Sequence, residues 1–329
     1  MKEILNRLFE YKSLDRATAK EILSNLAQGK YNNSEMAAFL TVYLMRSITV
    51  EELTGFREAM LELCVPIEIS DYNAIDLCGT GGDGKDTFNI STLASFIVAG
   101  AGQNVAKHGN NSVSSVCGSS NVLAYFGYEF TNDPDILKRS MDESGICYMH
   151  APLFHPAMKN VAPVRKELGV KTFFNMLGPM VNPSFPAKQM TGVFSLELAR
   201  LYAYLFQQTE TDFMVVYALD GYDEVSLTGD FKILTRNDER IVSPEDLGLH
   251  SFDPKELSGG TTVEHAAKIF KSVLENQSTR AQKEVAIANA GMALYCADSS
   301  LELTEAVQKA RESVDSGSAL KSFKKFIDI

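Results

Sequence analysis

No apolar run in this chain approaches the roughly 20 residues that a membrane-spanning helix requires. The opening stretch, MKEILNRLFEYKSLD, is charged and amphipathic. It has neither the apolar centre nor the small-residue cleavage site of a secretory signal. No membrane partner is expected, and a cytoplasmic location is. Cysteine is scarce and badly placed for pairing. Cys64, Cys78, Cys117, Cys147 and Cys296 are odd in number, widely spaced and without a CxxC pair. That argues against a disulfide framework and a thiolate zinc site, and for a reducing compartment. The histidines (His108, His150, His155, His250 and His265) show no HxxxH metal spacing, and no GxSxG nucleophile elbow occurs. Basic patches are also missing. Net charge is −11 and no cationic stripe offsets it, so nucleic acid is not an expected partner.

What is present is an ordinary globular composition, 45% apolar and 22% charged over 329 residues, enough for two domains. The first ~65 residues read as helices on periodicity alone. Ile4, Leu5, Leu8 and Phe9 share one face, and so do Ile22, Leu23 and Leu26. SEMAAFLTVYLMRS is apolar nearly all round, which suits a buried or interfacial helix. Thr49 and Glu52 form a capping-box pattern before the next one. Short apolar runs then alternate with helical patterns. NAIDLCG, QNVAKHG, ICYMHAP and DFMVVYAL read as strands, and NISTLASFIVAGAG, SNVLAYFG, DPDILKRSMDESG and LELARLYAYLFQQT as helices. The alternation predicts an α/β domain with a mainly parallel sheet. EVSLTGDFKILTRNDERIV reads as hairpin strands, and the last ~70 residues as mostly helical. A proline-rich stretch around residues 160–187 interrupts the alternation and suits a crossover to another domain and back. The expected division is a helical domain at 1–70, joined by that crossover, and an α/β domain at 71–159 and 188–329.

Three loops carry polar chemistry. In DLCGTGGDGKDTFNIST, Gly79, Gly81, Gly82 and Gly84 follow a strand and precede a helix. Bare backbone of this kind can approach a ligand closely and cradle an anion, helped by the helix N-terminus. Glycine density alone would also fit a tight structural turn. The pattern is neither GxGxxG nor a P-loop. KHGNNSVSSVCGSS, again after a strand, adds a cation, amides and hydroxyls, and reads as a second part of a phosphate clamp or as a solvated loop. In DGYDE, Asp223 and Glu224 could turn together toward a hard cation such as Mg²⁺. No covalent nucleophile is evident. A reaction that runs on positioning and metal charge fits, such as departure of pyrophosphate from an activated ribose.

These stretches resemble the anthranilate phosphoribosyltransferase family. GTGGDGKDTFNIST, VAKHGN, SSVCGS, HPAMKNVAPVRKELGVKTFFNMLGPMVNP, GYDE, GGTT and SGSALK occur in that family's order, from residue 76 to the C-terminus. The resemblance implies a small helical N-terminal domain plus a large α/β domain with a mainly parallel central sheet, of the nucleoside phosphorylase/phosphoribosyltransferase type. It implies a homodimer through the helical domain. The implied reaction joins anthranilate to 5-phosphoribosyl 1-pyrophosphate (PRPP), giving N-(5-phosphoribosyl)anthranilate and pyrophosphate in tryptophan biosynthesis, with Mg²⁺, two ions per monomer. Matched residue by residue, the PRPP positions are Gly79, Gly82, Asp83, Thr87, Asn89, Ile90, Ser91, Thr92, Lys107, His108, Gly109, Asn110, Asn111, Ser112, Val113, Ser114, Ser115 and Ser119. Gly79, Asn110 and Arg165 match anthranilate contacts, and Ser91, Asp223 and Glu224 match metal ligands. A guanidinium at Arg165 suits a substrate carboxylate, although a helix-surface arginine would look the same in sequence.

Two positions depart from the family pattern. Asn111 stands where an arginine usually follows KHGN, and Asn121 where GSAD ends in aspartate. Two rival readings remain at this point. A pyrimidine nucleoside phosphorylase would share the architecture but take plain phosphate and lack the GYDE metal site. A non-catalytic relative that binds nucleic acid would have to overcome the negative charge.

Overall fold

The computed structural model describes residues 1–111 and 117–329. The chain divides into two compact units, Met1–Pro66 with Ala151–Pro183, and Ile67–His150 with Ser184–Ile329. The boundaries differ by a few residues from those the sequence suggests. Ile67 and Ile69 are already buried and open the second unit. The chain returns to the first unit at Ala151, not near 160. The Val65 N–H there donates to the Phe154 carbonyl at 2.8 Å.

The first unit is helical, with helices at Lys2–Phe9, Arg16–Ala27, Asn33–Met45 and Val50–Glu62. The capping box expected at Thr49 and Glu52 is formed, and a second one joins Asn32 to Glu35. Glu52 does more than cap. Its side chain is fully buried, pairs with Arg46 at 2.5 Å, and accepts from the Leu14 N–H at 2.9 Å and the Tyr43 hydroxyl at 3.2 Å. Burial alone would raise its carboxyl, but Arg46 and these donors hold it below the usual range. Phe39, Tyr43, Phe56 and Phe173 pack beside it, with Phe56 and Phe173 stacked at 4.5 Å. On Lys2–Phe9 only Leu8 is buried; Phe9 lies largely exposed.

The second unit is built on one seven-stranded sheet. Its strands are β1 (Ile75–Gly79), β2 (Val105–Gly109), β3 (Ile146–His150), β4 (Lys188–Gly192), β5 (Asp212–Ala218), β6 (Phe231–Thr235) and β7 (Glu239–Val242). The order is β3-β2-β1-β4-β5-β6-β7, parallel from β3 to β5 and antiparallel at β6 and β7. Helices Ile90–Gly100, Arg280–Ala297 and Ser318–Ile327 cover one face, and Ile75, Leu77, Val105, Met190 and Val216 point into that core.

Two differences from the sequence reading stand out. β4 sits in the middle of the sheet, where no strand was expected. The hairpin is confined to β6 and β7; Glu224–Thr228 are not a strand. Leu227 has φ +55°, which no strand residue adopts, and the Val225 backbone is held by the Asn289 side chain in place of a strand partner.

Candidate active site

The chain runs β1, β2, β3 in one direction across the sheet, then returns to place β4 on the other side of β1. The carboxyl ends of β1 and β4 therefore flank a topological switch point, where open α/β sheets form a ligand crevice. The glycine loop leaves β1 there. Gly81, Gly82 and Gly84 all have φ between +65° and +78°, a conformation that L side chains resist. Gly79 is needed for a different reason. A Cβ on it would lie 2.3 Å from an Asp223 carboxylate oxygen.

Asp223 and Glu224 follow β5 and reach back to this loop. Asp223 accepts from the Gly81 N–H at 2.5 Å, and Glu224 accepts from the Thr87 hydroxyl at 2.8 Å. Asp83 joins them, so three carboxylates present oxygens within 4.8 Å of one another. One buried oxygen of Asp83 and one of Glu224 have no hydrogen-bond partner. Burial is the main cause that raises the carboxyls of both Asp223 and Glu224; the charge of Asp83 adds to it at Asp223, and the charges of Asp223 and Asp83 add to it at Glu224. This gathering of oxygen donors fits a hard divalent cation, whose charge would reverse that penalty. The sequence reading put Asp83 only on the phosphate side; the structure sets it among the carboxylates.

The carboxylate loop is held from a distance. Asn289, in helix Arg280–Ala297, accepts from the Val225 N–H at 3.0 Å and donates to the Val225 carbonyl at 2.8 Å. Nothing in the sequence marks this asparagine.

The helix after the glycine loop starts at Ile90, with Asn89 at φ +53° before it. The Asn89 amide donates to the Cys117 carbonyl at 2.9 Å, which ties the first loop to the second. The Ile90 side chain lies in the core, so only its backbone can serve a ligand. The Asn89 Oδ1 and Thr92 Oγ1 atoms are buried without partners.

Lys107 is not a surface cation at a strand end. It is 1% exposed, and its ammonium turns inward to donate to the Leu77 carbonyl at 2.5 Å and the Ser91 hydroxyl at 3.4 Å. Burial lowers its pKa, and the buried Asp76 on β1 works against that. Asp76 lies within the first quoted stretch, and a carboxylate inside an apolar strand was the available signal. In the second loop, the Asn110 N–H donates to Ser119 Oγ at 3.2 Å, and the Asn111 N–H to Asn110 Oδ1 at 2.8 Å. The backbone N–H of His108, beside them on β2, approaches Asp76 Oδ1 at 3.4 Å. Asn121 accepts from the Gly118 N–H at 2.9 Å, a capping bond that an amide oxygen makes as well as a carboxylate would. Ser112, Val113, Ser114 and Ser115 lie outside the described residues.

Arg165 belongs to the helical unit, on helix Ala162–Leu168. Its guanidinium lies over the Phe174 ring at 5.1 Å and donates to Asn175 Oδ1 at 3.4 Å. Among the described residues it has no acidic partner, and burial lowers its pKa.

A mainly parallel sheet with a carboxylate cluster and glycine loop at its switch point, together with a separate helical unit, suits a glycosyl-transferring enzyme, and the family matches show that class. Residues 71–320 match the glycosyl transferase family a/b domain, and residues 2–64 match that family's helical bundle domain. The anthranilate phosphoribosyltransferase of Flavobacterium psychrophilum is 57% identical over 325 residues, covering 99% of this chain and 98% of its own. That of Cytophaga hutchinsonii is 56% identical over 327 residues, covering 99% and 100%. Among solved structures, the Thermus thermophilus anthranilate phosphoribosyltransferase superposes with a TM-score of 0.91 at 31% identity, covering 98% of each chain. The Saccharomyces cerevisiae enzyme, in complex with PRPP and Mg, gives 0.90 at 25% identity, covering 98% of this chain and 96% of that one. The chain belongs to the anthranilate phosphoribosyltransferase family.

Proposed function

We propose that this chain transfers the phosphoribosyl group of PRPP to anthranilate, releasing pyrophosphate, and that Asp83, Asp223, Glu224 and Ser91 hold Mg²⁺ for it. The observation that carries this reading is the trio of carboxylates beside the glycine loop, with two buried oxygens unpartnered. Bound Mg²⁺ would neutralise charge on the departing pyrophosphate. The chain's own groups do the rest. The turn at Gly81, Gly82 and Gly84 and the start of helix Ile90–Gly100 offer backbone N–H groups to phosphate oxygens. The bond from the ribose C1 to pyrophosphate breaks as the anthranilate nitrogen bonds to C1 and gives up a proton. The family resemblance assigns Arg165 to the anthranilate carboxylate, and Gly79 and Asn110 to anthranilate. We extend the reading to two ions per monomer, and to a cytoplasmic site on the strength of five free cysteines. No helix among the described residues is long and apolar enough to cross a membrane.

The test is loss of anthranilate fluorescence on adding PRPP, with and without Mg²⁺. No change with all three present would sink the reading. Phosphorolysis of a pyrimidine nucleoside without metal would favour the rival enzyme.

Two further expectations follow. Lys107→Met keeps bulk but removes the ammonium beside Ser91. It is expected to raise the PRPP KM at least tenfold and the anthranilate KM much less. An effect confined to anthranilate would show that Lys107 does not serve the phosphate side. We also propose a homodimer through the helical unit. Phe9, Tyr11, Leu44 and Met45 are exposed there, and Leu8, Ala38 and Val42 help line a groove of about 420 Å³. A second copy would cover that apolar patch. Met45→Glu is expected to yield monomers in analytical ultracentrifugation, and an unchanged dimer would place the interface elsewhere.

A further inference from the structure

The second polar loop rests on a run of hydroxyls in which Ser119 alone has been given a role above. Tyr148, on β3, is buried, and its hydroxyl lies 2.7 Å from Ser119 Oγ and 2.8 Å from Ser120 Oγ. Ser120 Oγ lies 2.8 Å from His150 Nδ1, and that imidazole stacks on Phe130 at 4.4 Å. At the other end, Ser119 Oγ accepts from the Asn110 N–H at 3.2 Å and lies 3.2 Å from the Asn110 carbonyl. The run is His150, Ser120, Tyr148, Ser119, Asn110.

Each hydroxyl has one hydrogen to give. With His150 Nδ1 accepting, Ser120 donates to it, Tyr148 donates to Ser120, and Ser119 donates to Tyr148. With Nδ1 carrying the proton, every bond reverses and Ser119 donates to the Asn110 carbonyl. Both arrangements satisfy all three hydroxyls, and in both Tyr148 is the link through which Ser119 is fixed. The backbone of β2 packs closely here. A Cβ at Gly109 would lie 2.2 Å from the Tyr148 hydroxyl and 2.3 Å from Ser119 Oγ, so the bare backbone of β2 is pressed against this pair.

We propose that Tyr148 is a positioning residue for the transfer reaction. Its hydroxyl fixes the Ser119 side chain and, through it, the Asn110 backbone at the phosphate-binding loop. This rests on the functional reading above, together with the family resemblance that gives Ser119 to PRPP and Asn110 to both substrates. The tyrosine does not touch substrate; it sets where two contacting residues stand.

Tyr148→Phe removes the hydroxyl and keeps the ring that packs against Tyr128 and Phe130. It is expected to raise the PRPP KM about tenfold, the loss of one well-made hydrogen bond, with kcat reduced less than threefold. Inorganic pyrophosphate binding, read by calorimetry without turnover, should weaken by a similar factor. The decisive comparison is with Ser119→Ala. If Tyr148 acts through Ser119, the double variant is no worse than Ser119→Ala alone; independent effects would multiply. A PRPP KM for Tyr148→Phe within about twofold of the parent, or a multiplicative double variant, would overturn the proposal. Should Tyr148→Phe fail to fold, Ser120→Ala leaves the ring untouched and removes the second partner. It is then expected to raise the PRPP KM about threefold or more, and an unchanged value overturns the proposal equally. A parent protein that does not consume anthranilate with PRPP and Mg²⁺ contradicts the functional reading, a result distinct from any of these.

Discussion

Asp223→Asn combined with Glu224→Gln is expected to abolish turnover and leave the fold standing. The amide oxygens can still accept from the Gly81 N–H and the Thr87 hydroxyl, so the local bonds survive. What is lost is the negative charge that makes the site suit a divalent cation. The apo protein should not suffer. Burial and repulsion from Asp83 raise these carboxyls in the folded state, so without metal they oppose folding once ionised. Groups raised in this way bind protons more tightly when folded, and stability falls as pH rises through their range. The double variant should therefore lose that fall and melt at or above the parent's temperature near neutral pH. It should also lose any rise in melting temperature that Mg²⁺ and PRPP give the parent. Mg²⁺-dependent activity at the parent's level would refute the metal assignment.

The second large effect is expected at Arg165. Its guanidinium is partly desolvated over Phe174, donates to a neutral amide oxygen, and has no acidic partner among the described residues. A cation held this way is suited to a carboxylate from outside, and anthranilate has one. Losing a charge-assisted hydrogen bond costs about 1.5–3 kcal/mol. Arg165→Ala should accordingly raise the anthranilate KM by roughly ten- to a hundredfold, with a much smaller change for PRPP. Arg165→Lys should recover only part of the loss, because an ammonium cannot present a planar fork. Steady-state kinetics with each substrate varied decide it. An anthranilate KM within about twofold of the parent would make Arg165 a packing residue of its helix.

Much of this molecule could be read from local pattern. β1, β2, β3 and β5 are short apolar runs ended by turns, and the capping residues of Val50–Glu62 are adjacent in sequence. β4 was not legible. KQMTG has no apolar run, because Gln189 and Thr191 are buried polar residues that only the neighbouring strands explain. The hairpin was drawn too long because the left-handed turn at Leu227 leaves no trace in residue type. In the site, the glycine loop and the Asp223–Glu224 pair stand out by composition. Asp83's place among the carboxylates depends on a loop 140 residues later. Asn289 and Tyr148 act through partners 64 and 29 residues away, and an asparagine or tyrosine in a regular element says nothing about such partners.

The clamp from Asn289 onto Val225 bears on how the protein is made. The glycine loop with Asp83, the Ser119 loop, and Asp223 and Glu224 leave the ribosome long before helix Arg280–Ala297 does. Until that helix exists, the Val225 backbone lacks both bonds from Asn289, and the bonds from Gly81 and Thr87 hold the carboxylate loop without that clamp. The same helix packs on Ile90–Gly100, the one that follows the glycine loop. A nascent chain thus carries the side chains of its active site through most of synthesis without the frame that sets them. Chains cut short before residue 289 keep these side chains without that clamp, and premature release is expected to yield an inert product, not a partly active one.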